Sequence, residues 1–100
     1  MLNITKKREG ETLIVAMEGR LDTNTAPEFQ SELEPLLGDI SKLVLDCVNL
    51  IYISSAGLRV LLTFVQELEE NGKTMELCNV NDIIHDVFDV TGFLEILTII

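Results

Sequence analysis

The chain is poor in basic residues, and this shortage excludes two classes of partner. Lys and Arg number 7 against 17 Asp and Glu, so the formal net charge of the 100 residues is −10 at neutral pH. The only basic cluster lies at residues 6–8. Nucleic acids and anionic membranes are bound mainly through such clusters. We therefore expect neither nucleic acid nor a membrane among the partners.

Long apolar runs are also missing, and cysteines are few. No stretch approaches the roughly 20 apolar residues that span a bilayer, and the first residues lack the apolar region of a secretion signal. Cys47 and Cys78 lie far apart in the chain, each beside an apolar run, which is typical of small buried side chains rather than of a disulfide. We expect a cytoplasmic protein.

Apolar side chains, in contrast, are plentiful. They make up 47% of the residues, which is enough to build a core and is unlike a disordered acidic tail. At this length we expect one domain that covers residues 1–100.

Alternating apolar residues predict a β-hairpin at the start of the chain, with strands over residues 2–7 and 13–17. A helix is predicted to begin at Thr25. Thr25 and Glu28 have the spacing of a capping box, and Pro27 suits the first turn of a helix.

The middle of the chain predicts a strand followed by a long helix. Residues 43–45 form a short apolar run that ends at Asp46, and we interpret them as a central strand buried on both faces. Apolar residues at helical spacing follow over 58–68, and Asn71-Gly72 ends that helix.

The last third predicts a strand over residues 74–78, a helix capped by Asn81 or Asp82, and a strand-like tail over 93–100. Strands that alternate with helices after a hairpin indicate an α/β fold. We expect a mixed sheet of four to five strands, opened by the hairpin, with helices packed on it.

Functional groups in such sheets gather where strands end and helices begin, which directs attention to residues 19–25 and 53–58. Ser54 or Ser55 can cap the long helix by accepting a hydrogen bond from a first-turn amide. A hydroxyl here is also a suitable phosphorylation site, because a helix N-terminus favours negative charge. Gly57 leaves room for another chain to approach the backbone.

Three segments resemble the STAS domains that act as bacterial anti-sigma factor antagonists. Residues 43–58 (LVLDCVNLIYISSAGL) are similar to that family's apolar strand and Asp-Ser-Ser/Thr-Gly-Leu motif. Residues 19–26 (GRLDTNTA) resemble its Gly-x-Leu-Asp-x-x-Thr-Ala element, and residues 87–94 (VFDVTGFL) its Phe-x-x-x-Gly-Leu stretch. The resemblance covers nearly the whole chain and implies a STAS-like fold.

The resemblance also implies partner switching. In this family the unphosphorylated antagonist binds an anti-sigma factor that is itself a serine kinase using ATP, and so frees the sigma factor. Phosphorylation reverses the binding, and a phosphatase resets the switch. ATP belongs to the kinase, so we expect no cofactor on this chain.

Site residues follow from the same resemblance. Ser55 falls on the family's phosphorylated serine, and Ser54 is the second candidate acceptor. Ser54 stands where the family has Asp, and Ala56 where it has a second Ser or Thr. The residues predicted to contact the kinase are Asp22, Thr23, Asn24, Ser54, Ser55, Ala56 and Gly57. Without the resemblance, residues 22–24 are a turn that leads into a helix cap.

Two other functions remain open. Ser54 and Ala56 differ from the residues of the family motif. A second hypothesis is therefore a STAS module that serves, without phosphorylation, as a subunit of a transport or signalling assembly. An enzyme is the third hypothesis, with His85 or a pair formed by Asp22 and Asp46. No nucleophile, oxyanion loop, metal-ligand spacing or phosphate-binding glycine loop supports it, so we expect neither an enzyme nor a metal site.

Overall fold

The structure is a computed structural model that describes residues 1–100. It contains five strands, three α-helices and two short 3-10 segments. In chain order these are β1 (Leu2–Glu9), β2 (Thr12–Leu21), α1 (Ala26–Leu33), a 3-10 segment (Glu34–Asp39), β3 (Lys42–Ile53), α2 (Ser55–Glu70), β4 (Thr74–Cys78), α3 (Asp82–Thr91), a second 3-10 segment (Phe93–Glu95) and β5 (Thr98–Ile99).

The strands form one mixed sheet in the order β1-β2-β3-β4-β5. β1 and β2 are the antiparallel hairpin, and β2, β3, β4 and β5 pair in parallel. The predicted α/β fold, with a mixed sheet opened by a hairpin and with helices packed on it, is confirmed. None of the helices combines the length and hydropathy that a membrane-spanning segment requires.

The core lies between the helices and one face of the sheet. Val15, Leu45 and Leu77 are neighbours on adjacent strands, and all three are fully buried. Phe29 of α1 and Phe64 of α2 meet above the sheet with ring centroids 5.8 Å apart. Each such buried side chain stabilises the fold by about 2 kcal/mol. These contacts fix α1 and α2 side by side, with their first turns at the same end of the sheet.

β3 is longer than predicted and is not buried on both faces. It spans Lys42–Ile53, and Val44 and Asp46 remain partly exposed while their neighbours along the strand are buried. Its register against β2 shifts twice, between the β2 residues 16 and 18 and between 19 and 20. Each shift is a β-bulge that breaks the alternation of buried and exposed residues. The apolar pattern that predicted a strand at residues 43–45 therefore covered only the regular part of β3, before the first bulge.

The predicted capping box at the start of α1 is absent. Thr25 is the N-cap residue, but its side chain makes no cap hydrogen bond. Its hydroxyl donates instead to the Arg20 carbonyl at 2.8 Å and accepts from the Asp22 amide at 2.8 Å. Because the Thr25 hydroxyl bonds to the loop before α1, the spacing of Thr25 and Glu28 does not produce a capping box.

The chain from Phe93 onward was predicted as a strand, and this was largely wrong. Gly92 adopts a left-handed conformation with φ 81°, and Phe93–Glu95 then forms a 3-10 turn. Only Thr98–Ile99 pairs with β4. The apolar residues of this tail pack against the core from a turn, which produces an apolar composition without a long strand.

Candidate functional site

The two motif segments meet at one end of the sheet. Leu21 and Ile53, the last residues of β2 and β3, are paired neighbours. The Ser54 amide donates a hydrogen bond to the Leu21 carbonyl at 2.9 Å. Residues 22–25, here called the Asp22 loop, therefore lie beside residues 53–57, here called the α2 junction.

The two serines of the α2 junction do different things. Ser54 has extended backbone angles, and its hydroxyl oxygen accepts a hydrogen bond from the Gly57 amide at 3.2 Å. Ser54 is therefore the N-cap, as expected for one of the two serines. Ser55 is the first residue of α2, is exposed, and forms no side-chain hydrogen bond. Of the two hydroxyls, only that of Ser55 is exposed and without a hydrogen-bond partner in the chain.

Gly57 is required by contacts within the chain. It is buried, and a Cβ atom at this position would lie 2.8 Å from the Leu21 carbonyl oxygen and 2.9 Å from Ile53 Cγ1. Real Cβ atoms do not approach backbone oxygen this closely. We expected Gly57 to leave room for a partner chain, but the end of β2 occupies that room.

The Asp22 loop is closed by its own carboxylate. One oxygen of Asp22 accepts hydrogen bonds from the amides of Asn24 and Thr25, each at 3.0 Å. The hydrogen bond from the Thr25 amide has the largest effect on the pKa of the Asp22 carboxyl. Together these hydrogen bonds lower that pKa and outweigh the opposing effect of desolvation. The turn expected before α1 is present, and Asp22 is ionised at neutral pH.

A groove opens between the first turns of α1 and α2. Its volume is about 330 Å³, and Thr23 of the Asp22 loop and Ala56 of the α2 junction both line it. We call it the Arg59 groove because Arg59 is the one charged residue in its wall. Its lining is Thr23, Ala26, Pro27, Gln30, Ala56, Arg59, Val60 and Thr63.

Sequence analysis missed two arginines near the site. Arg59 could have been found from its position four residues after Ser55, since such residues share a helix face. Arg20 stacks over the Tyr52 ring, with 4.2 Å from its guanidinium carbon to the ring centroid, and its Nε lies 3.8 Å from an Asp22 oxygen. No sequence signal indicated this contact, because it depends on the second bulge in β3.

Asp22 and Asp46, the pair considered under the enzyme hypothesis, do not meet. Asp46 is paired with Ala16 in the middle of β2, whereas Asp22 follows the last residue of that strand. The Asp46 carboxylate accepts hydrogen bonds from the Val48 amide and the Asn79 side chain, both at 3.1 Å. The two carboxylates belong to different parts of the sheet.

The remaining candidate groups lie away from the α2 junction. Both cysteines are free, with Cys47 buried and Cys78 partly buried. Burial raises the pKa of the Cys47 thiol to about 12 and also raises the pKa of Cys78. His85 is exposed on α3. No group of three or more His, Cys, Asp or Glu side chains is arranged to hold a metal ion.

Comparison of the sequence with known protein families supports the interpretation of the two motifs. The model of the STAS domain matches residues 3–100. The chain belongs to the STAS domain family.

Curated relatives of this STAS domain match along nearly its whole length. BtrV of Bordetella bronchiseptica, named as a candidate anti-sigma factor antagonist, is 31% identical over 96 residues, which are 95% of this chain and 83% of the relative. The anti-sigma F factor antagonist of Paenibacillus polymyxa is 28% identical over 100 residues, which cover 98% and 86%.

Solved structures show the same fold. A candidate anti-sigma factor antagonist from Thermotoga maritima has a TM-score of 0.89 at 19% identity, covering 96% of this chain and 84% of that one. The anti-sigma factor antagonist SpoIIAA, unphosphorylated, has a TM-score of 0.78 at 17% identity, covering 98% and 87%. SpoIIAA has also been solved in its phosphorylated form. A sulfate transporter family protein from Wolinella succinogenes has a TM-score of 0.78 at 21% identity, covering 92% and 75%.

Proposed function

We propose that this STAS domain is an anti-sigma factor antagonist that is switched by phosphorylation of Ser55. The observation that carries the proposal is the exposed hydroxyl of Ser55, which makes no hydrogen bond at the start of α2. The neighbouring Ser54 hydroxyl is engaged as the helix cap. Relatives named as anti-sigma factor antagonists, matched over almost the full chain, support the same assignment. They are named as regulators, and we assign no enzymatic activity to the chain.

Ser55 is favoured over Ser54 as the acceptor by its hydrogen bonding. The Ser54 oxygen already accepts the Gly57 amide, so its phosphorylation would disturb a helix cap that contributes about 1 kcal/mol. Ser55 has no such contact to lose. Its position at the first turn also suits a phosphate, because free amides at a helix N-terminus favour negative charge.

The partner in this proposal is an anti-sigma factor that is a serine kinase. The Ser55 oxygen bonds to the γ-phosphorus of ATP held by the kinase, the bond from that phosphorus to ADP breaks, and the hydroxyl proton passes to a base of the kinase. This chain is the substrate and supplies only the hydroxyl. A phosphatase that hydrolyses the phosphoserine resets the switch, and we place the cycle in the cytoplasm.

Binding and release follow from the charge at the α2 junction. The contact surface consists of Asp22 and the exposed tip of its loop, Thr23 and Asn24, together with residues 54–56. A partner can cover a neutral Ser55. A phosphate adds about −1.5 to −2 charges that must be desolvated in the interface. A loss of ~3 kcal/mol weakens binding more than a hundredfold, which is enough for a switch.

Phosphate transfer tests the site. Incubation with the cognate kinase and ATP is expected to add one phosphate to the wild type and to the Ser54→Ala variant, and none to Ser55→Ala. Full phosphorylation of Ser55→Ala would reject Ser55. Titration calorimetry of Ser55→Asp with the same kinase is expected to show at least a hundredfold weaker binding, with circular dichroism unchanged.

The second candidate, a non-phosphorylated subunit of a transport or signalling assembly, rests on the departures at Ser54 and Ala56. A pull-down from the source cell distinguishes the two. A serine kinase in the eluate supports the switch, whereas transport components without a kinase support the second function.

A further inference from the structure

We infer that Arg59 binds the phosphate of phosphorylated Ser55. This inference rests on the proposed function and adds a residue that holds the modified state. Arg59 is four residues after Ser55 on α2, and residues at this spacing share a helix face with Cβ atoms about 5–6 Å apart. Both residues are exposed. The long arginine side chain therefore reaches a group attached to the Ser55 oxygen.

Arg59 has no other anion to bind. The three ion pairs of the structure join Lys6 to Glu32, Arg20 to Asp22 and Lys42 to Glu76, and none includes Arg59. The first turn of α2 has no acidic residue. The guanidinium is thus uncommitted before modification.

The elements around Arg59 add no competing charge. The wall that α1 contributes to the Arg59 groove consists of Ala26, Pro27 and Gln30, which are all uncharged. Glu28, the acidic residue in the first turn of α1, lines a separate hollow with residues of β1. Asp22 is turned into its own loop by the amides of Asn24 and Thr25.

Arg20 is the other arginine near the α2 junction, and it is already engaged. Its guanidinium stacks on Tyr52 and lies beside the Asp22 carboxylate. Moving it to a phosphate would give up both contacts. Arg20 therefore provides a matched control, because it has the same charge close to the site but has existing partners.

The contact would fix where the phosphate sits. Arg and phosphate form short, charge-assisted hydrogen bonds that can be bidentate. Such bonds would hold the phosphate at the mouth of the Arg59 groove, beside Ala56 and over part of the surface proposed to contact the kinase. The phosphate then blocks that surface by position as well as by charge.

The test uses the full chain with phosphoserine placed at position 55 by genetic code expansion, so that no kinase is needed. Phosphorus NMR follows the second ionisation of the phosphate, which occurs near pH 6 for free phosphoserine. A guanidinium at this spacing is expected to lower that pKa by about 0.4 relative to Arg59→Gln. Arg59→Lys is expected to give an intermediate value, and Arg20→Gln the wild-type value.

An unchanged pKa in Arg59→Gln, or an equal rise in Arg20→Gln, would overturn the inference. Thermal unfolding of each variant checks that it is folded. The inference and the proposed function can fail separately. If the kinase does not modify Ser55 but the NMR difference is present, the proposed function fails and the Arg59 contact stands.

Discussion

The α2 junction and the start of α3 at residues 80–84, here called the α3 junction, are built on the same plan but differ in chemistry. Each helix begins just after a parallel strand, with a polar N-cap whose side chain accepts an amide hydrogen bond from the third residue beyond it. Ser54 accepts from Gly57 at 3.2 Å, and Asn81 accepts from Ile84 at 3.0 Å. The next residue is Ser55 in α2 and Asp82 in α3. One junction begins with a carboxyl group and the other with the hydroxyl that we propose is phosphorylated.

The junctions also differ in how they are attached to the sheet. The Asn81 side chain donates to the Leu50 carbonyl at 2.7 Å, so α3 is tied to β3 by its cap residue. At α2 the attachment uses the Ser54 amide and the close approach of Gly57 to Leu21. At the junction itself the attachment is made mainly by backbone atoms, and the Ser55 side chain takes no part in it. The modification proposed at Ser55 would therefore leave the attachment of α2 to the sheet intact.

Gly57 tests how closely the start of α2 must approach β2, and its substitution should cost the most stability. Gly57→Ala places a Cβ atom against the Leu21 carbonyl, and we expect the free energy of unfolding to fall by about 2 to 3 kcal/mol in urea. The matched control is Gly38→Ala, whose Cβ atom meets no neighbour within 4 Å. Equal stability of the two variants would remove the proposed difference between the junctions.

The next effect compares the two caps directly. Asn81→Ala removes the cap and leaves the Leu50 carbonyl without its partner, and we expect a loss of about 2 kcal/mol. Ser54→Ala removes only the cap, for which about 1 kcal/mol is expected. Chemical denaturation of both variants measures the difference. A larger loss for Ser54→Ala would contradict the view that its side chain has the smaller structural role.

A smaller effect is expected from exchanging the charges. Ser55→Asp gives α2 the acidic first turn of α3 and should raise the free energy of unfolding by about 0.5 kcal/mol, because the helix dipole favours it. Asp82→Ser should lower it by a similar amount. Both effects are expected to shrink at 1 M salt. Thermal unfolding at two ionic strengths checks the sign of each.

The smallest effect concerns the response of the Asp22 loop to low pH. The folded pKa of Asp22 lies below its ordinary value, so its stabilising contribution is complete above that value and is lost as pH falls through the folded pKa. In an acid titration followed by ¹⁵N NMR, the Asn24 and Thr25 amides should shift with this depressed midpoint. Both shifts should disappear in Asp22→Asn. An Ile84 amide that follows the same midpoint would show that the Asp22 loop is coupled to the start of α3.

Much of the fold could be predicted because local signals agreed with tertiary structure. β4 spans the predicted residues 74–78, and Asn81 caps α3 as one of two expected residues. The long helix was predicted from its apolar spacing, and its start from the serines. These elements have regular periodicity and simple ends, so neighbouring residues carry the information that defines them.

Sequence reasoning failed where distant residues decide the local structure. The bulges of β3 exist only in pairing with β2, so no local pattern predicted a strand that continues to Ile53. Thr25 follows a capping-box spacing but hydrogen bonds to Arg20 and Asp22. At the site, both motifs were found, but the Arg59 groove needs α1 and α2 side by side. It could not be seen from either helix alone.

The bulges of β3 also shape an open edge of the sheet. β4 ends at Cys78, opposite Asp46, while β3 continues to Ile53. The last part of β3 therefore has a free edge, and Val48 and Ile51 are 53% and 60% exposed there. A flat, apolar strand edge invites pairing with another chain. Two bulges and the Asn81 side chain on the Leu50 carbonyl make this edge irregular and partly occupied, so it is a poor template for a growing sheet.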